Sequence, residues 1–237
     1  MIRIRRAADR GHANHGWLDA HHTFSFADYH DPEHMQFGPL RVLNQDRIQA
    51  GQGFPTHGHR DMEIVTYVLD GTLEHKDNMG NGSRITPGDV QFMSAGSGVT
   101  HSEFNPSPDE ALELLQMWIL PSQRGNTPRY EQRHFPSEER NGTLCLVVSP
   151  DGEHNSLTIG QDARLYVGHL DAGQTVQHSL APGRSAWVHL ARGRALIAGE
   201  TLEAGDGLAV SDESALQFEG LDNAELVVWD LPQEQQS

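Results

Sequence analysis

Short apolar runs cut by turn residues set the rhythm of this chain, with few long periodic stretches. Before residue 130 no apolar spacing of three and four sustains an amphipathic helix beyond two turns, so the pattern predicts a sandwich or barrel of strands. Residues 40–43 form one predicted strand, closed by Asn44-Gln45-Asp46. Residues 63–69 form another, ended by Asp70-Gly71, a pair suited to tight hairpin turns. Leu73-Glu74-His75 follows, then a polar loop over residues 77–83. The turn Pro87-Gly88-Asp89 precedes a strand over residues 90–93, and residues 94–98 make a small-residue corner. Residues 112–120 are apolar except for Glu113 and Gln116, as expected of a strand buried on both faces. Arg, Glu, Gln, Asn and Pro then dominate residues 121–142, read as the connection between two domains, 1–135 and 136–237. Strand signals resume at 144–148, 164–170, 186–190, 195–197, 208–210 and 225–229, and residues 233–237 are read as a frayed tail.

The halves echo one another. Asp70-Gly71 followed by Gly88-Asp89 recurs as Arg192-Gly193 followed by Gly205-Asp206, each after an apolar run. A duplicated β-barrel follows, and the fold class expected is all-β with two tandem barrels. Aligning Gly193 with Gly71 sets Ser179, Ala181 and Ser185 opposite His57, His59 and Glu63. Any ligand set carried by those three is therefore confined to the first half.

Composition sharpens the picture in a few places. Apolar residues are 36%, while 24 Gly and 12 Pro supply the turns a strand-rich chain needs. A formal charge of −16 repels phosphate backbones, so no direct nucleic-acid partner is expected. No stretch approaches the ~18 apolar residues of a membrane span. The opening MIRIRRAADR lacks a following apolar segment and reads as an edge strand and turn instead of a secretory leader. Cys145 is the sole cysteine, so no intramolecular disulfide forms, in keeping with a cytoplasmic protein. A monomer is the default state.

The candidate chemistry lies in two pairs of residues. His57-Gly58-His59 is followed by His101-Ser102-Glu103, each pair spaced i and i+2. On extended backbone such residues share a face, so two strands facing one interior bring three imidazoles and a carboxylate together. That donor set suits one divalent transition metal ion, with positions left for a substrate or dioxygen. Glu63 competes for the carboxylate role, but it lies about 13 Å along an ideal strand from His59 at ~3.3 Å per residue. Adjacency favours Glu103 and leaves Glu63 a supporting acid. The other N-terminal histidines, His12, His15, His21, His22, His30 and His34, have no organising spacing. Trp17, Phe24, Phe26 and Tyr29, with Thr23 and Ser25 alternating, are read as barrel packing on a half-buried strand in preference to a platform for a flat polyphenol.

These residues also carry a family resemblance. Gly51-x5-His57-x-His59-x3-Glu63-x7-Gly71 resembles the first cupin motif with one extra residue before its final glycine. Gly88 and Gly98-x2-His101-x3-Asn105 resemble an altered second motif, so the two barrels are expected to be cupin (double-stranded β-helix, jelly-roll) barrels. Gly11 to Leu18, His22-Thr23-Phe24-Ser25-Phe26, Tyr29, residues 51–63 and 93–105, and Pro128-Arg129-Tyr130-Glu131-Gln132 are similar to the pirin family. The likeness is strong over residues 2–135, and the second half resembles the C-terminal cupin of bacterial pirins. It implies His57, His59, His101 and Glu103 as metal ligands. Iron(II) is the first expectation for the ion, with copper, nickel, cobalt, manganese and zinc left open. It further implies quercetin 2,3-dioxygenase activity on a flavonol-like aromatic substrate with O2, releasing CO. Glu103, or Glu63 from further out, would act as general base. The opposing class is a metal- and redox-responsive regulatory binding protein without turnover, docking to a basic partner protein.

Overall fold

Alternating side chains along the predicted runs become two nine-stranded sheets, antiparallel but for the pairing of Cys145–Ser149 with Leu157–Thr158, one in each of two compact units. The computed structural model describes residues 1–233; of the expected frayed tail, residues 234–237 lie outside the described residues. As expected, the fold is all-β. The only α-helix among the described residues is the single turn Ser137–Arg140. No helix of the described residues is long and apolar enough to cross a membrane.

The first unit comprises residues 11–134 and 159–161. Its strands lie in the order Gly11–Asn14, Leu18–His22, Leu40–Ile48, Leu112–Ile119, Gly53–Asp70, Asp89–Phe104, Leu73–Asp77 and Gly82–Ile85. Ile48, Val68, Leu73, Ile85 and Leu112 are fully buried and pack on one another inside it. The run at 112–120 is the strand Leu112–Ile119, buried along most of its length because it sits between two longer strands. Two local readings change. Part of the expected connection, Arg129–His134, is a strand paired with Asp89–Phe104. The stretch from Thr23 to Tyr29 is not a strand, since pairing stops at His22. Ser25 there bonds Asp31, its Oγ donating to the carbonyl and accepting from the N–H, which folds the chain into a loop. Phe24 packs as expected; Phe26 and Tyr29 turn toward a cavity.

The second unit comprises residues 1–10, 135–158 and, among the described residues, 162–233. The boundary read at 135/136 therefore differs at the start of the chain. Ile2–Arg5 is an edge strand, as its composition suggested, but it pairs with Gly207–Ser211 and so caps the open edge of the later sheet. The signals at 186–190 and 195–197 merge into one strand, Arg184–Ile197, which runs beside Ala215–Pro232 through register shifts between Leu190 and Ala195. Gly193 sits among those shifts at φ 73°, a conformation that glycine reaches without strain. Val188, Leu190, Leu216, Phe218 and Leu226 are central to the core.

One ionic network in this unit gives a pH prediction. Asp230 accepts bonds from His178 Nε2 at 2.9 Å and Arg184 Nε at 2.6 Å. Burial raises its pKa, but the bonds from His178 and Arg184 outweigh burial and hold it below the ordinary carboxylate value. A depressed folded pKa contributes stability that is complete above the unfolded value of ~3.9 and is lost as pH falls through the folded one. Asp230→Asn should therefore flatten the acid limb of the stability curve below about pH 4, read by urea unfolding at stepped pH. An unchanged acid limb would count against this.

Candidate metal centre

Strands Gly53–Asp70 and Asp89–Phe104 are antiparallel neighbours, and their register sets His57 directly opposite His101. His59 projects to the same side as His57. The three rings stand in a near-equilateral triangle, with centroids 4.8 Å (His57–His59), 4.5 Å (His57–His101) and 4.8 Å (His59–His101) apart. Nε2 of His57 lies 3.1 Å from Nε2 of His101. Two nitrogens bound to one ion at ~2.1 Å and at right-angled to tetrahedral angles stand about 3.0–3.4 Å apart, so the pair is spaced for a shared ion.

The tautomers agree. Nδ1 of His57 donates to the Pro55 carbonyl at 2.8 Å, which leaves the Nε2 lone pair facing the cluster. Burial, then the His57 charge, holds the pKa of His59 down at about 4. Burial, then the charges of His57, His59 and His75, holds His101 at about 3. Neutral imidazoles are what a metal needs.

Glu103 is almost fully buried. Its Oε2 accepts from Gln116 Nε2 at 2.8 Å, while Oε1 has no hydrogen-bond partner. Burial pushes its pKa up, against the pull of His75 and Gln116. An orphaned buried carboxylate oxygen close to His101, which also belongs to the triangle of rings, is a cost that a cation would remove. The residues present fit a divalent ion.

Glu63 stands apart from this group. A bulge after His59 places Asp61 at φ 65° opposite Gly96, and the alternation of faces inverts there. Beyond the bulge Met62 and Ile64, not Glu63, pack on the side of Val99 and Trp118. Glu63 instead accepts from Ser94 Oγ at 2.6 Å and from the Gly160 N–H at 3.0 Å.

His57, His59 and Glu103 line a cavity of about 180 Å³ whose other walls include Phe26, Phe54, Trp118 and Asp46. Trp118 meets His59 edge-on, with ring centroids 4.9 Å apart. Asp46 is buried with Oδ1 unpartnered, and burial followed by the Glu103 charge pushes its pKa up to about 7. A larger opening of about 440 Å³ shares Leu18, Ala20, His22, Phe26 and Phe54 with this cavity and adds His12, His15 and Tyr29.

Two groupings escaped the sequence reading. His12, Asp19 and His21 meet on an exposed hairpin because strand pairing sets His12 opposite His21. His75, fully buried, joins His101 and Glu103. Its signal was present: His75-Lys76-Asp77 is a third i, i+2 pair in a strand beside the ligand strands.

A family model described as Pirin matches residues 2–119. The chain is also 49% identical over 232 residues to a protein of Escherichia coli (strain K12) named quercetin 2,3-dioxygenase, covering 98% of this chain and 99% of that one. The chain belongs to the pirin family. A second model, described as Quercetinase C-terminal cupin domain, matches residues 146–231, so this pirin carries two tandem cupin barrels. A pirin-like protein of Caulobacter vibrioides is 43% identical over 221 residues, covering 93% of this chain and 95% of that one. Among solved structures, the bacterial pirin YhhW of Escherichia coli in complex with nickel(II) superposes with a TM-score of 0.94 at 49% identity, covering 99% of this chain and 100% of that one.

Proposed function

We propose that this pirin is a metal-dependent dioxygenase that cleaves a flavonol such as quercetin with O2 and releases CO, its ion held by His57, His59, His101 and Glu103. The observation that carries this reading is the cluster of three imidazoles, His57, His59 and His101, with the buried carboxylate of Glu103 close to His101, while His57, His59 and Glu103 line a cavity with aromatic sides. The name and nickel complex of the relatives at 49% identity support it. Iron(II) is the first choice of ion. The donor set contains no thiolate and equally accommodates nickel, cobalt, copper, manganese or zinc.

When bound, a divalent ion would supply Lewis acidity that lowers the pKa of a substrate hydroxyl. The protein supplies the rest. Phe26 and Trp118 meet edge to face, with centroids 5.4 Å apart, and offer a flat ring an apolar seat. Glu103 is the carboxylate placed to take the hydroxyl proton, and the Gln116 amide fixes its orientation. Asp46 presents its unpartnered oxygen on the same cavity wall as an acceptor for a further hydroxyl. The apolar lining keeps water from the reacting ring.

Aerobic incubation of metal-loaded protein with quercetin should consume the flavonol absorbance and release CO, and His57→Ala should do neither. Failure of the wild type with iron, copper, nickel, cobalt and manganese in turn would remove the dioxygenase reading. Glu63 separates the two carboxylates. Glu63→Ala leaves Ser94 and the Gly160 N–H unpartnered and should lower stability by about 1–3 kcal/mol in urea unfolding, with bound metal per chain unchanged. Loss of metal instead would return Glu63 to the ligand set.

A further inference from the structure

Strand Leu73–Asp77 lies antiparallel to Asp89–Phe104, with His75 opposite Glu103 and Asp77 opposite His101. Its alternation presents His75 and Asp77 on the side of the ligand pair. The side chains of both are fully buried. The hydrogen bonds then run in one direction. The Asp77 carboxylate accepts only, and it is anchored by the N–H groups of Met79 at 2.9 Å and Asn81 at 3.0 Å and by the Asn81 amide at 2.8 Å. His75 Nε2 lies 3.2 Å from Asp77 Oδ2, so the ring proton of a neutral His75 sits on Nε2. That leaves His75 Nδ1 as an acceptor, 3.4 Å from Nδ1 of His101. His101 therefore keeps its proton on Nδ1 and presents the Nε2 lone pair toward His57. Tyr130 stacks on His75 at 4.7 Å and 24° and is itself held by Ser83 and Gln91, which fixes the plane of the His75 ring.

We propose that His75 and Asp77 are positioning residues of the metal centre, locking the tautomer and orientation of His101 without touching the ion. This rests on the metal site proposed above. It parallels the Pro55 carbonyl behind His57, but places a buried charge at the far end. Such a carboxylate strengthens the donor power of the ligand it backs through the intervening ring. The rival arrangement has His75 itself as a ligand, because its ring nitrogen, one of His101 and a Glu103 oxygen lie within 4.8 Å of one another.

The test loads the full-length protein with copper(II). Affinity is measured by competition with a chelator, and coordinated imidazoles are counted by pulsed electron paramagnetic resonance. His75→Phe keeps a ring against Tyr130 but removes the acceptor. It should weaken metal binding about 10–100-fold while the imidazole count stays at three. His75→Gln retains an acceptor for the Nδ1 proton of His101 and should recover part of the loss. Asp77→Asn, which keeps the packing of the strand, should weaken binding in the same direction and serves as the readout if His75→Phe does not fold. A fall to two imidazoles in His75→Phe would make His75 a ligand and overturn the proposal. Unchanged affinity in both His75→Phe and Asp77→Asn would overturn it as well. His57→Ala is the control for the underlying site: if it keeps three imidazoles and full affinity, the metal-site reading itself has failed.

Discussion

Replacing His101 with alanine is expected to abolish stoichiometric metal binding. His101 has another imidazole on each side, its Nε2 facing His57 and its Nδ1 facing His75. Removing it opens the triangle of rings and leaves Glu103 Oε1 without a cation in a fully buried position. The loss should exceed the ~10–100-fold that removal of an outer partner produces, and elemental analysis after dialysis reads it directly. Quercetin turnover should vanish with the metal. Metal retained at one ion per chain in His101→Ala would mean that the ion sits elsewhere, and the proposed chemistry would lose its centre.

Gly96→Ala is expected to be the most damaging small substitution near the site. Gly96 has φ 44° and lies opposite Asp61 at the bulge that ends the ligand segment. A Cβ there would stand 2.0 Å from the Asn126 carbonyl oxygen, a backbone atom that cannot swing aside. The left-handed conformation costs an alanine about 1–2 kcal/mol, and forced backbone shifts add roughly 1–3 kcal/mol. The urea midpoint should fall accordingly, and metal affinity should fall with it because the bulge aims His59. A variant as stable as the parent would show that Asn126 yields freely.

Much of this site is legible in the sequence because strand alternation is a local rule. The i, i+2 spacing places His57 with His59 and His101 with Glu103 before any tertiary contact is known. What the spacing hides is where alternation breaks. Glu63 has the same parity as His59, yet the left-handed residue at Asp61 inverts the faces between them, and nothing about an aspartate announces that conformation. His75 was hidden for another reason. Its strand, Leu73–Asp77, extends past Leu73-Glu74-His75 into Asp77, which reads as the start of a polar loop, and only pairing with Asp89–Phe104 reveals that Leu73 and His75 are buried. Gly193 misled in the opposite sense: a turn residue in the sequence became a kink inside the continuous strand Arg184–Ile197. The loop from Thr23 to Tyr29 mimics a strand in composition, and the Ser25–Asp31 bonds that bend it are side-chain chemistry which apolar periodicity does not register.

The pairing of Ile2–Arg5 with Gly207–Ser211 bears on the order of events during synthesis. The strand Ile2–Arg5 must wait for a mate encoded roughly 200 residues later, about 10–40 s at ~5–20 residues per second. Through that interval the metal-binding barrel, whose strands all lie between Gly11 and His134, can already close. Deleting Ile2–Arg5 would thus disturb the half of the protein translated later.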